Sequence, residues 1–277
     1  MDELHDKHAK LKEIIAEMGS VLIAFSGGVD STILLKVAHD VLGDKICAVT
    51  AVSPTYPESE FREAVELAHR IGVRHFAIES HELEIPGFAE NPRERCYFCK
   101  KELFRVLVHK AAELGCSCVA EGSNTDDLGD YRPGRRAIAE LMVRSPLLEA
   151  GLSKDDIRRL SLELALPTWD KQPYACLASR FPYGALITRD RLRTVELCEE
   201  FLKGKKFRNY RVRFHDDTAR IEVGEGEISR FFEPDLRREV TEFFKAAGFT
   251  YVALDLQGYR TGSMNEAGRG QGSGVGD

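Results

Sequence analysis

Nothing in the chain approaches the ~20 consecutive apolar residues that cross a bilayer, which excludes a helical membrane protein. The opening residues, Met1-Asp2-Glu3-Leu4-His5-Asp6, lack both the positive cluster and the apolar core of a secretory signal. Cysteine is sparse and odd in number, seven in 277 residues, so free thiols or metal ligands are expected in place of a disulfide frame. A positive excess is missing as well. The balance of 39 basic to 45 acidic residues leaves a formal charge of −6, which argues against a general nucleic-acid coat. No internal repeat is present. What these absences leave is a cytoplasmic protein of two-domain size, with enough apolar residues for a sizeable core.

Apolar spacing predicts an amphipathic helix over 2–18, carried by Leu4, Leu11, Ile14, Ile15 and Met18. Residues 21–25 form a short unbroken apolar run, the pattern of a strand buried on both faces. It ends in Ser26-Gly27-Gly28-Val29-Asp30-Ser31, and a helical pattern resumes over 32–42. Strands are predicted again over 46–52, 75–78 and 118–120, with helices over 58–71 and 97–114. That alternation predicts an α/β fold with a doubly wound parallel sheet. Beyond about residue 183 the pattern changes. A helix over 188–202 precedes a hairpin in which Tyr210, Val212 and Phe214 alternate before the turn residues Asp216 and Asp217, and Ala219, Ile221 and Val223 after them. Helical stretches near 227–247 and a strand over 251–256 complete a smaller α+β domain for substrate or oligomerisation. The predicted division is 1–183, 184–266 and a glycine-rich disordered tail over 267–277.

The turn after the first strand lies at the carboxyl end of the sheet, where backbone N–H groups and the helix dipole attract anions. Gly27 and Gly28 allow the main chain to approach a phosphate, and Ser26 and Ser31 add hydroxyl donors. Asp30 is suited to a magnesium ion bridging phosphates. The lysine of a Walker A loop is missing, so γ-phosphate transfer on that scaffold is not expected. The hexapeptide resembles the PP-loop of the ATP pyrophosphatases, among them NAD, GMP and argininosuccinate synthetases and tRNA thiolation enzymes. Members cleave ATP between the α- and β-phosphates. The resemblance implies an adenine pocket around Ala51-Val52-Ser53 and Gly122-Ser123.

Further segments narrow the likeness: Asn91-Pro92-Arg93-Glu94-Arg95-Cys96-Tyr97-Phe98-Cys99-Lys100-Lys101, then Glu121-Gly122-Ser123-Asn124-Thr125-Asp126-Asp127 with Asp130-Tyr131-Arg132-Pro133-Gly134, and Trp169-Asp170-Lys171-Gln172-Pro173-Tyr174-Ala175-Cys176-Leu177-Ala178-Ser179-Arg180. With the glycine turn, and Gly258-Tyr259-Arg260-Thr261-Gly262-Ser263 near the end, they resemble the LarE family. Its enzymes insert sulfur into the pyridinium mononucleotide that becomes the nickel-pincer cofactor of lactate racemase. The resemblance implies an ATP-dependent sulfurtransferase that adenylates a ring carboxylate and then admits a sulfur nucleophile. Cys176 falls at the family's sulfur-donor position. Arg180, with Arg213 or Lys101, is expected to lower the thiol pKa or hold the substrate. In the sacrificial version the Cys176 Cβ–S bond breaks and leaves dehydroalanine.

Cys96-x-x-Cys99 on its own is open between zinc, a redox pair and chance; no second CxxC or histidine pair is evident, and Cys116 and Cys118, whose spacing could in principle complete a tetrad, sit beside apolar Val119 and read better as core. Three-cysteine members of the family carry an iron–sulfur cluster. The resemblance therefore implies a [4Fe–4S] cluster on Cys96, Cys99 and Cys176, with one iron open to deliver sulfide. Cys47, Cys116, Cys118 and Cys198 sit at apolar positions and read as core. Arg211 and Arg213 share one face of the hairpin, joined by Arg220 and Glu222 from the return strand. Paired arginines suit a mononucleotide phosphate, and Glu222, with Glu200, is a candidate ligand for a second metal. Expected partners are ATP, the pyridinium mononucleotide and further copies of the chain. The competing readings are a tRNA thiolase, which the net charge disfavours, an amide-forming synthetase, for which no glutaminase is present, and a non-catalytic nucleotide sensor.

Overall fold

The computed structural model of the chain describes residues 3–129, 133–260 and 263. It divides into two compact units, Met1–Phe88 with Arg93–Tyr174, and Ala89–Pro92 with Ala175–Asp277. Among the described residues no helix is long and apolar enough to cross a membrane.

The first unit runs α1 (Glu3–Met18), β1 (Val21–Ala24), α2 (Val29–Leu42), β2 (Ile46–Val52), α3 (Glu58–Ile71), β3 (His75–Glu79), α4 (Arg95–Glu113), β4 (Cys118–Ala120), α5 (Gly134–Glu140), α6 (Pro146–Glu149) and α7 (Lys154–Glu163). The four strands form a parallel sheet in the order β3-β2-β1-β4. Side chains alternate across it. Val21 and Ile23 join the core built with α1, α2 and α7, through Leu11, Ile33 and Ile157. Leu22 faces the other way, into a core with Phe104 and Leu107 of α4 and Ile138 of α5. Helices thus cover both faces, as the unbroken apolar strands require. The chain walks outward from β1 through β2 to β3, then returns to lay β4 on the other side of β1. That reversal is a topological switch point, and the crevice at the carboxyl ends of β1 and β4 is where sheets of this class take their ligands.

The second unit contains α8 (Arg189–Gly204), β5 (Tyr210–His215), β6 (Thr218–Val223), α9 (Pro234–Ala246) and β7 (Tyr251–Leu254). The predicted hairpin is β5–β6, with Arg211 opposite Glu222 and Arg213 opposite Arg220. β7 pairs in parallel with β6, so the smaller sheet is mixed. The sequence division at 183/184 differs from these compact units. Asn91 is fully buried and stitches its segment to the second unit: its amide donates to the carbonyls of Phe181 (3.1 Å) and Pro182 (2.6 Å), and its own carbonyl accepts from Gly184 (3.0 Å). The tail predicted over 267–277, and the motif residues Asp130, Tyr131, Arg132, Thr261 and Gly262, lie outside the described residues.

Candidate active site

The glycine turn sits at the switch point. Gly27 has φ 63°, and a Cβ there would lie 3.1 Å from the Cα and Cβ of Ala64 in α3, so both conformation and space demand glycine. Gly28 caps α2 and, having no side chain, makes no side-chain cap bond to the N–H groups of the first turn. Ser31, read from sequence as a phosphate donor, is buried and braces the turn: its Oγ accepts from the Ser26 N–H (3.3 Å) and donates to the Gly28 carbonyl (3.2 Å). The Ser26 hydroxyl lies 3.2 Å from it. Gly122, at the end of β4, packs directly on this turn; a Cβ there would stand 3.1 Å from Asp30 Cβ and from Ser31 N.

Asp30 accepts from Lys154 Nζ at 2.5 Å on Oδ2 and from Asn124 Nδ2 at 3.3 Å on Oδ1. Sequence reasoning missed Lys154. The available signal was Ser153-x-x-Asp156, a capping box that starts α7 and sets Lys154 in its first turn. Ser53 turns its hydroxyl to Glu82 Oε2 (2.8 Å), which also accepts from Thr55 (2.6 Å), while Glu82 Oε1 accepts from the Cys99 thiol (3.3 Å). Glu82 is 6% exposed, and it too was missed. Cys96 and Cys99 lie three residues apart near the start of α4, the former exposed and the latter half-buried. Lys101 donates to the Tyr97 hydroxyl (2.9 Å) and pairs with Glu140 (3.3 Å); these two contacts, in that order, raise its pKa.

In the second unit Cys176 is exposed and precedes a short 3-10 turn, Leu177–Arg180. Arg180 is 0% exposed. It grips Glu199 of α8 with Nε and Nη2 (2.9 and 2.8 Å), and Nη1 donates to the carbonyls of Ala175 (2.6 Å) and Cys176 (3.2 Å) and to Ser179 Oγ (3.0 Å). The sequence expectation set this charge toward the thiol or substrate; in the fold it is balanced by a buried carboxylate and shapes the loop backbone. Burial pushes Glu199 up, but Arg180, then Arg211 and the Val212 N–H, outweigh it and hold the carboxyl below the ordinary range. Arg211 is buried, donating to the Tyr210 carbonyl (2.7 Å) and lying over the Tyr259 ring (5.0 Å). Arg213 reaches Glu222 Oε2 (2.7 and 3.0 Å), Ser263 Oγ (2.9 Å) and the Ser179 carbonyl (3.2 Å). Glu222 is 0% exposed, and its second oxygen takes Arg220 (3.0 Å) and Ser263 (2.9 Å). Both oxygens of that candidate metal ligand are therefore occupied by protein donors, most of them cationic. Among the described residues no three His, Cys, Asp or Glu side chains converge to hold a metal ion.

Of the remaining cysteines, Cys116 and Cys118 are half-buried against the apolar cores, while two are fully enclosed. Cys47 and Cys198 are 0% exposed, and burial pushes each thiol up to about 12, helped at Cys47 by Cys116, whose sulfur is 3.7 Å away.

No protein-family model matches the chain. An uncharacterized protein of Synechocystis sp. is 43% identical over 262 residues, 95% of this chain and 98% of its own. The pyridinium-3,5-bisthiocarboxylic acid mononucleotide synthase of Lactiplantibacillus plantarum is 39% identical over 269 residues, 96% of each chain. The GMP synthase of Aeropyrum pernix is 25% identical over 214 residues, 70% of this chain and 41% of its own. The near full-length match at 39% identity to the mononucleotide synthase, on a parallel sheet whose glycine turn lies at its switch point, means that the chain belongs to the LarE family of ATP-dependent sulfurtransferases, within the PP-loop superfamily.

Proposed function

We propose that the protein uses ATP to convert a ring carboxylate of a pyridinium mononucleotide to a thiocarboxylate, for nickel-pincer cofactor biosynthesis. The observation that carries this reading is an exposed thiol, Cys176, whose two flanking carbonyls are held by a fully buried arginine. A buried structural cysteine, such as Cys198, has no need of such a mount. In the first half-reaction a carboxylate oxygen attacks the α-phosphorus, the bond to the bridging oxygen breaks, and pyrophosphate leaves. The N–H groups at the start of α2 are suited to that leaving charge. Asp30 already attracts a cation, the Lys154 ammonium, and would hold magnesium on the same carboxylate. In the second half-reaction sulfur attacks the acyl carbon and AMP departs. Arg211 and Arg213 would bind the mononucleotide phosphate.

Cys96, Cys99 and Cys176 would hold a [4Fe–4S] cluster. The donor chemistry fits: none of the three thiols is tied up in a disulfide, Cys96 and Cys176 are exposed and Cys99 is half-buried. When bound, such a cluster supplies sulfide through its open iron. Arg180 would fix the Cys176 backbone, and Glu82 would orient Cys99.

The test is an oxygen-free preparation assayed for iron and sulfide, followed by one turnover with ATP and the dicarboxylate mononucleotide. Expected products are AMP and pyrophosphate; ADP and phosphate would overturn the adenylation reading. Iron and sulfide near four per chain, with Cys176 unchanged in mass, is the expected cluster result. Loss of the mass of one hydrogen sulfide at Cys176, with Cys96→Ala and Cys99→Ala fully active, would establish sacrifice of Cys176 in its place.

A further inference from the structure

A nucleotide loop made of backbone N–H groups works only if those groups point outward, and the glycine turn has no rigidity of its own. Each carbonyl of the Ser26-Gly27-Gly28 stretch has a donor from the protein. The Tyr56 hydroxyl donates to the Ser26 carbonyl (2.9 Å) and Lys171 Nζ to the Gly27 carbonyl (3.2 Å). The Gly28 carbonyl takes Ser31 Oγ (3.2 Å) and the Thr32 N–H (2.9 Å). A trans peptide unit is planar, with its N–H opposite its C=O, and no cis peptide is present among the described residues. Fixing the Ser26 and Gly27 carbonyls from one side therefore aims the Gly27 and Gly28 N–H groups to the other.

Lys171 has no donor left for a phosphate. Besides Gly27 it pairs with Glu60 and Glu63 of α3, each at 2.8 Å, which uses all three ammonium protons. Burial lowers its pKa, but Glu60 and Glu63 outweigh that and raise it, which favours the ammonium form. The segment that carries Lys171 is itself anchored: Arg158 of α7 donates to the carbonyls of Trp169 and Lys171, each at 2.9 Å.

We propose that Lys171 and Tyr56 are positioning residues for the nucleotide loop, holding its carbonyls from behind so that its N–H groups face the phosphates of ATP. This rests on the reading that the turn binds ATP. The assignment also gives the Trp169-Asp170-Lys171 segment a task distinct from that of Cys176, five residues on.

The test is calorimetric titration of the full-length protein with magnesium ATP, magnesium pyrophosphate and adenosine. Tyr56→Phe removes only the hydroxyl. Lys171→Met is combined with Glu60→Gln so that no buried carboxylate loses its partner, and thermal melts confirm folding of both. Each variant should weaken ATP and pyrophosphate, by about tenfold for the lysine, with adenosine unchanged. Wild-type affinity for ATP in folded variants would overturn the inference, as would equal loss of adenosine. Loss in the lysine variant with a silent Tyr56→Phe would make Lys171 a phosphate ligand and overturn it too. Failure of the unaltered protein to bind magnesium ATP would instead remove the reading of the turn, and the inference with it.

Discussion

Replacing Arg180 by methionine tests how the loop bearing Cys176 is built. Methionine fills much of the same volume and restores none of the hydrogen bonds. Glu199, 3% exposed, would lose two guanidinium contacts at 2.8 and 2.9 Å and keep the Val212 N–H at 2.9 Å. Breaking a buried ion pair from one side costs about 3–5 kcal/mol. The carbonyl of exposed Cys176 can turn to water, so Glu199 dominates the loss. Against a typical total of about 5–15 kcal/mol this is severe. The double variant Arg180→Met, Glu199→Met leaves no orphaned charge and should recover at least about 2 kcal/mol of it, while still failing in sulfur transfer. Denaturant titration at several pH values supplies a second sign. In the unaltered protein the Glu199 carboxyl is held low, so its contribution is present above about pH 4.3 and is lost as pH falls through the lower folded value. In Arg180→Met burial faces only Arg211 and the Val212 N–H, and the folded pKa rises; stability then falls as pH rises through about 4.3 toward neutrality. A loss under about 1 kcal/mol, or an unchanged pH slope, would refute this account of Arg180.

Asp30→Asn removes the charge that attracts Lys154 and magnesium; AMP formation should fall by about 100-fold or more, while the partly exposed ion pair makes the stability change less than about 1 kcal/mol. A variant that still releases AMP at the original rate would dismiss the residue from the nucleotide site. Gly122→Ala presses a Cβ on Asp30 and the Ser31 backbone, neither a yielding side-chain tip, so a cost of about 1–3 kcal/mol and slowed AMP release are expected. Normal release would uncouple the end of β4 from the turn. Arg211→Ala and Arg213→Ala should each weaken mononucleotide binding by about 10- to 150-fold, with ATP affinity unchanged in calorimetry. Arg213→Ala should melt lower, since it leaves Glu222 with Arg220 as its remaining cation; equal weakening of ATP would reduce both effects to general destabilisation.

The parallel sheet was legible because strands buried on both faces must be continuous apolar runs, and Val21-Leu22-Ile23 has no other reading between two amphipathic helices. The hairpin was equally legible: a two-residue period sets Arg211 and Arg213 on one face whatever lies beyond them, and Glu222 indeed lies opposite Arg211. The helix over 97–114 begins two residues earlier, at Arg95, because charged Arg95 and Cys96 break the apolar period without breaking the helix. Side chains that act across long sequence distances were not legible. Lys154 meets Asp30 from 124 positions away and Lys171 meets Gly27 from 144, and neither lysine differs in local pattern from a solvated one. The Arg180 ion pair was hidden for the same reason: nearness to Cys176 in sequence pointed toward the thiol or the substrate, whereas the buried carboxylate it pairs with, Glu199, lies 19 residues on, within α8.

Residues 89–92 belong to the second unit although the chain on either side of them belongs to the first. Synthesis runs from the N-terminus, so Asn91 leaves the ribosome about 90 residues before Phe181 and Pro182, whose carbonyls its amide will occupy. For that interval the segment is an unfinished splice inside a sheet domain that is itself complete only at Tyr174, its polar groups served by water. No single cut separates the two units cleanly. A fragment ending at Tyr174 would carry four residues with no home, and one beginning at Ala175 would lack the piece that ties down the chain at Phe181, Gly184 and Ile187. Gene fusions, permuted termini and limited proteolysis all inherit that constraint.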